Sequence, residues 1–154
     1  MKKVILLIAV LTVIGCCLTA LSETDNGFIM CQPDSYVNIR ISPKNGAEII
    51  GRYELGFKVE TDGKKKNGFL HLVNLGLEAT EGWVHAGFVS RDALVVRTVG
   101  ARIKSNGRVA CRKSINGNRR KWLANGDLVT VYAYSDSWAI TNQGFIKTEF
   151  IDGL

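Results

Sequence analysis

The sequence predicts an all-β protein in which two small barrels follow one another in tandem after an N-terminal apolar signal segment. Many short runs alternate apolar and polar residues, and turns rich in asparagine and glycine separate these runs at close intervals. Three sequence blocks also occur twice in the same order, which indicates one fold present in two copies. The sequence after residue 14 contains no long helical pattern, so small β-barrels account for it best.

The repeated blocks define the two copies and their difference in length. Residues 37–43 (VNIRISP) return as 109–115 (VACRKSI), 55–59 (LGFKV) as 125–129 (NGDLV), and 82–89 (GWVHAGFV) as 144–151 (GFIKTEFI). The offset between the copies falls from 72 (109 − 37) to 70 (126 − 56) and then to 62 (144 − 82). We therefore expect domains at residues 31–94 and 95–154, with a surface loop eight residues shorter in the second. Residues 92–96 are expected to form the closing strand of the first copy.

Within each copy, alternating apolar residues predict which side chains face the core. In the first copy Asn38 and Arg40 are expected to face outward. The inward set is Val37, Ile39, Ile41, Val59, Val84 and Val89. Cys111 occupies the position of Ile39 in the second copy, so we expect it to be buried there.

The N-terminus has the pattern of an export signal. Lys2 and Lys3 precede an apolar run over residues 4–14, which is typical of a secretory signal peptide spanning 1–22. The stretch ending in Cys16 also fits a lipoprotein signal, in which this cysteine would be acylated. Both readings predict a protein outside the cytoplasm, either secreted or lipid-anchored at the cell envelope, with membrane contact only through the signal or the lipid.

Two cysteines, Cys31 and Cys111, fall within the predicted domains. In an oxidising compartment such a pair could form a disulfide. The inward position of Cys111 favours the other reading, in which both are inert buried thiols.

Charge is distributed unevenly between the two copies. Residues 23–94 carry eight Lys or Arg against ten Asp or Glu, a balance of −2, whereas residues 95–154 carry ten against four, a balance of +6. A block of one sign attracts polyanions, which outside the cytosol are wall polymers, lipid headgroups or glycans rather than nucleic acid. A merely solvated basic face would give the same composition.

The two ends of the first copy resemble the bacterial SH3 (SH3b) domain family, whose members open with V-N-V-R-x-x-P and close with G-W-V-x-x-x-Y/F-V/L. Residues 37–43 and 82–89 match these motifs, while the second copy diverges, with Ile115 in place of the proline and Phe145 in place of the tryptophan. The resemblance implies a five- to six-stranded SH3-like barrel used for binding, commonly to peptidoglycan peptides. Two weak sites on one rigid body would raise avidity.

Candidate binding residues are outward aromatic and basic side chains that could line a shallow groove. They are Tyr36, Arg40, Tyr53, Trp83 and His85 in the first copy, and Arg112, Arg119, Arg120, Lys121 and Trp122 in the second. Core packing is the competing explanation for the aromatic residues, above all for Trp83.

The sequence favours a non-catalytic binding module that recognises peptidoglycan or another envelope component. Both histidines, His71 and His85, lie in the first copy, so neither is expected to meet the inward Cys111, and the expected domains contain no Cys or His pair at metal-ligand spacing. No enzyme activity, cofactor or metal is therefore expected. Two alternatives remain: a scaffold for another exported protein, and electrostatic adhesion of the second copy to anionic polymers.

Overall fold

The computed structural model describes residues 24–154, which fold into two seven-stranded antiparallel sheets. The predicted signal over 1–22 and the acylation at Cys16 lie outside the described residues. Within residues 24–154, no helix has the length and apolar character needed to cross a membrane. The all-β class and the tandem arrangement of two β domains are confirmed.

The two sheets have the same number of strands in the same spatial order. The first contains β1 (Asp25–Ile29), β2 (Val37–Arg40), β3 (Ile49–Tyr53), β4 (Lys58–Lys66), β5 (Phe69–Val73), β6 (Gly82–His85) and β7 (Val89–Ser90). The second contains β8 (Val95–Ile103), β9 (Val109–Arg112), β10 (Arg119–Leu123), β11 (Leu128–Tyr134), β12 (Trp138–Thr141), β13 (Gly144–Lys147) and β14 (Ile151–Asp152). The strands of the two sheets correspond one to one in space. The orders are β3-β2-β6-β5-β4-β1-β7 and β10-β9-β13-β12-β11-β8-β14.

The first strand of each sheet differs from the prediction. β1 begins at Asp25, ahead of the domain start expected at residue 31, and pairs with both β4 and β7. Residues 95 and 96 do not close the first copy but begin β8, which pairs with β11 and β14 of the second sheet. Each difference has its own cause: β1 opens with polar residues, and the true closing strand β7 has only two residues, so neither strand gives a clear sequence pattern.

Each sheet wraps around its own apolar core. The inward positions Val37, Ile39, Val59, Val84 and Val89 are all buried, as the alternation predicts. Ile41 was expected on this face but is 58% exposed, because β2 ends at Arg40 and the chain turns away. Cys111 is fully buried in the second core, in the place that Ile39 takes in the first.

Most of the length difference between the copies lies in one loop, as the offsets predict. Leu72 pairs with Gly82 in the first sheet, and the equivalent Thr141 pairs with Gly144, so this connection is seven residues shorter in the second domain (10 − 3). The long loop folds back over its own barrel. Leu75 is buried in the first core, and the Tyr53 hydroxyl donates a hydrogen bond to the Leu75 carbonyl at 2.9 Å.

A third apolar cluster joins the two domains. Its buried members are Met30, Ala133, Trp138, Ile140 and Phe145, with Leu55, Phe88, Leu94, Ile115 and Tyr132 packed against them. Phe88 and Phe145 meet edge to face with ring centroids 6.0 Å apart. Two hydrogen bonds cross the junction: the Ile115 amide donates to the Gly87 carbonyl at 2.8 Å, and Gln32 Nε2 donates to the Thr141 carbonyl at 2.8 Å. The domains therefore pack directly on one another.

The junction leads to a prediction for Gly87→Ala. A Cβ at this position would lie 2.7 Å from Ser114 Oγ and 2.9 Å from Ser114 Cβ, both across the junction. Overpacking of this kind costs about 1–3 kcal/mol. We expect a lower unfolding temperature in calorimetry and separation of one transition into two. Gly100→Ala, where no atom lies within 4 Å, is the matched control. A single transition at the wild-type temperature in the Gly87 variant would contradict the docked arrangement.

Candidate functional site

A groove of about 500 Å³ runs along the junction of the two domains. The first domain contributes residues around β2 and the end of β6, and the second contributes residues of β9, β10 and β13. Phe88 and Phe145, which hold the domains together, also line this groove. Its existence and width are therefore set by the packing between the copies.

The groove is lined by four cationic side chains and by no carboxylate. The cations are Arg40, Arg112, Lys113 and Arg120. None of them is among the residues that form salt bridges in the described part of the chain. Such a set gives the groove a positive potential that favours an anionic ligand.

Arg40 and Arg112 occupy equivalent positions at the ends of β2 and β9. Arg40 Nη1 donates to the Ala47 carbonyl at 2.6 Å, and Arg112 Nη1 donates to the Gly117 carbonyl at 2.8 Å. Each guanidinium is thereby held against the turn that follows its strand. Since a guanidinium carries five N–H donors, each arginine retains further donors for a ligand.

Asn38 contributes a buried acceptor to the same groove. Its Oδ1 atom is buried and has no hydrogen-bond partner among residues 24–154. A buried polar atom without a partner costs roughly 1–3 kcal/mol, so such atoms are rare in folded proteins. The strand that carries Arg40 therefore also carries an unsatisfied acceptor, on a residue of the groove lining.

Apolar and aromatic side chains supply the rest of the lining. Tyr36, Phe69, His85, Phe88 and Phe145 line the groove. The His85 ring packs against Phe69 at 5.6 Å and Phe88 at 5.7 Å between centroids, and its Nδ1 accepts a hydrogen bond from the Gly87 amide at 3.2 Å. This packing holds the imidazole in place beside the apolar residues.

The groove gathers half of the ten predicted binding residues. Tyr36, Arg40, His85, Arg112 and Arg120 line it, whereas Tyr53, Trp83, Arg119, Lys121 and Trp122 do not.

Two of the five remaining residues belong to the packing of the first domain. Tyr53 is only 6% exposed and stacks on Phe57 at 3.9 Å between ring centroids, so its prediction as a groove residue is wrong. The Trp83 ring packs on His71 at 4.7 Å rather than lining the groove.

The other three lie on β10, an edge strand of the second sheet. The Arg119 guanidinium lies 4.5 Å above the Trp122 ring, which is 46% exposed as predicted. Lys121 Nζ donates a hydrogen bond to Gln143 Oε1. These residues form a basic surface separate from the groove lining.

The sequence-based prediction missed Asn38, Phe88 and Phe145 as groove residues. All three lie inside the repeated blocks, so the motif was available as a signal. Their role depends on how the domains dock, and that arrangement has no periodic sequence pattern.

The two cysteines within residues 24–154, Cys31 and Cys111, have free and buried thiols. Burial, followed by the charge of Glu54, raises the pKa of the Cys31 thiol, and burial also raises that of Cys111. Cys31 Sγ donates to the Ser35 carbonyl at 3.6 Å, and Cys111 Sγ donates to the Gln143 carbonyl at 2.9 Å. Both thiols are therefore protonated, poor nucleophiles.

A buried histidine lies between two carboxylates on the first domain, outside the groove lining. Asp62 Oδ2 lies 3.0 Å from His71 Nδ1 and 2.7 Å from Lys64 Nζ, and Glu81 Oε2 lies 3.5 Å from His71 Nε2. Burial by itself raises the pKa of Asp62, but hydrogen bonds from Lys64 and His71 outweigh it and hold that pKa at about 2. Residues 24–154 contain no group of three or more His, Cys, Asp or Glu arranged to hold a metal ion.

No protein-family model and no curated protein matches the chain. Among solved structures, the chain is similar to NlpC1 from Trichomonas vaginalis, with 14% identity and a TM-score of 0.39 over 88% of this chain and 48% of that one. It is also similar to NlpC2 from Trichomonas vaginalis, with 12% identity and a TM-score of 0.37 over 86% of this chain and 49% of that one. The chain thus spans about half the length of these two proteins. At these values the likeness carries no argument about what the chain binds or does.

The Asp62 contacts predict a specific acid sensitivity. Because the folded pKa is about 2 and the ordinary value is 3.8, the contribution to stability is complete above about pH 4 and is lost as the pH falls toward 2. We expect Asp62→Asn to lower the free energy of unfolding at pH 7 by about 1–2 kcal/mol and to flatten its pH dependence between 4 and 2. Denaturant titrations at each pH measure this, with the exposed Glu78→Gln as control. An unchanged acid profile in the Asp62 variant would refute it.

The state of the thiols gives a second prediction. In a chain beginning at residue 24, we expect Cys31 and Cys111 to react with Ellman's reagent far more slowly when folded than after unfolding in guanidinium, because the thiolate is the reactive form. Two thiols should then be counted without any reductant. A count of zero under these conditions would reveal the disulfide instead.

Proposed function

We propose that this chain is a non-catalytic binding module of the cell envelope that recognises a peptidoglycan or other envelope component in the groove between its two barrels. The observation that carries the proposal is the joint lining of that groove by cationic and aromatic side chains from both domains, with no carboxylate among them. A cleft of this size, mostly apolar with a few polar groups, suits a small ligand or one segment of a polymer.

Binding accounts for the groove better than catalysis does. Cys31 lines the groove, but burial raises the pKa of its thiol, which disfavours the thiolate that a nucleophilic mechanism requires. The nearby His85 accepts a hydrogen bond from the Gly87 amide through Nδ1 and packs among phenylalanine rings. These contacts suit a wall of a binding site.

A second candidate function is electrostatic adhesion of the second domain to anionic polymers. It is favoured by β10, whose residues 119–122 are exposed at a sheet edge and include three successive cations. Adhesion of this type depends on the summed charge rather than on the groove, so the two functions respond differently to salt and to the position of a lost charge.

Paired charge variants separate the two functions. Lys113→Gln with Arg120→Gln removes two charges from the groove, and Arg119→Gln with Lys121→Gln removes two charges outside it. We expect the groove variant to lose at least about tenfold in retention on purified peptidoglycan at 0.15 M salt, and the matched variant to lose little. The physical reason is that close charge-assisted hydrogen bonds are stronger than screened surface attraction.

If both variants lose the same retention on peptidoglycan, and binding disappears near 1 M salt, the result would favour adhesion and reject the groove as the binding site. Absence of wild-type retention on peptidoglycan at every salt concentration would reject the wall as the ligand.

A further inference from the structure

The chemistry of the groove narrows the ligand class further. We infer that the groove binds a peptide segment through a free carboxylate, with a neighbouring N–H of the same ligand donating to Asn38. The inference rests on the proposed function, since it names the ligand of the same groove.

The cations favour an anion that accepts paired hydrogen bonds. Arg40 and Arg112 reach one groove from two domains, and each is held by a turn carbonyl through one Nη1. A guanidinium fixed in this way presents its other N–H groups in a rigid fork that matches an oxyanion, either a carboxylate or a phosphate or sulfate group. Lys113 and Arg120 add further positive charge to the same lining.

Asn38 distinguishes a peptide from a simple anion. Its buried Oδ1 has no partner, and an acceptor can be satisfied only by a donor. A sulfate ion carries no proton at neutral pH, so it presents only oxygen acceptors and would leave Oδ1 unpaired. A ligand that carries an amide N–H near its carboxylate satisfies both the arginines and Asn38, and a peptide end has this arrangement.

The asymmetry between the copies gives the ligand a direction. Asn38 and Arg40 lie two residues apart on the outward face of β2. The equivalent pair on β9 is Ala110 and Arg112, so the second copy keeps the arginine and lacks the acceptor. The groove therefore has cations from both domains but the unpaired asparagine acceptor on one side only, which orients the N–H of the ligand toward the first domain.

The probes are N-acetyl-dialanine with a free carboxylate, the same peptide as its C-terminal amide, and inorganic sulfate. Each is titrated into the full-length protein and followed by NMR shifts of the groove residues. We expect the free acid to bind at least about tenfold more tightly than either control. The amide lacks the charge that strengthens hydrogen bonds to the arginines, and sulfate lacks an N–H for Asn38.

Asn38→Leu tests the acceptor. Replacing an unpaired buried polar group by an apolar one of similar size removes a cost from the free protein. We therefore expect free-acid affinity to fall about fivefold or more while the unfolding temperature stays equal or rises. Asn106→Leu, on an exposed turn, is the control. A purely structural asparagine would lower the unfolding temperature on substitution and leave affinity unchanged.

The outcomes also separate this inference from the proposed function. Equal affinity for acid and amide, or sulfate binding as tight as the free acid, overturns the carboxylate assignment even if peptidoglycan is retained. An unchanged affinity in Asn38→Leu overturns the role of the acceptor. A preference for the free acid in a protein that peptidoglycan does not retain supports the assigned chemistry and rejects the wall as its source.

Discussion

The apolar contact between Phe88 and Phe145, with the cluster around it, is the interaction on which the rest of the structure depends. Domains of about 60 residues bury a smaller fraction of their surface than larger domains do and are marginally stable alone. The shared cluster adds buried members, among them Met30, Trp138 and Ile140, that neither barrel could bury without the other. Because the same rings line the groove, one contact both stabilises the pair and shapes the site.

The two copies differ in sequence where the domains meet. In the first domain Trp83 pairs across strands with His71, and in the second the equivalent pair is Phe145 with Ile140. The first pair lies beside the carboxylates of Asp62 and Glu81, whereas the second is buried in the cluster at the junction. Burial against another domain favours an apolar pair such as Phe145 and Ile140, whereas His71 of the first pair remains beside its carboxylates.

Local patterns predicted the barrels well and the site only in part. Alternation placed Val37 and Ile39 in the core, and the repeat predicted the tandem fold, because both follow from the two-residue period of a strand. Alternation could not predict β1, which opens with polar residues, or β7, which has only two residues. The groove escaped prediction for a different reason: it is formed by a docking geometry between residues far apart in the chain, and no local periodicity encodes that geometry.

The groove lies between the two copies, so the duplication did not give each barrel a groove of its own. Two barrels with a site on each would make a bivalent protein, and each copy could gain or lose binding on its own. Here Arg40 and Arg112, which occupy the same position in the two copies, face one groove. The duplication has therefore produced one composite cleft, to which each barrel contributes part of the lining. Its two halves must evolve together, since a change in either alters the same cavity.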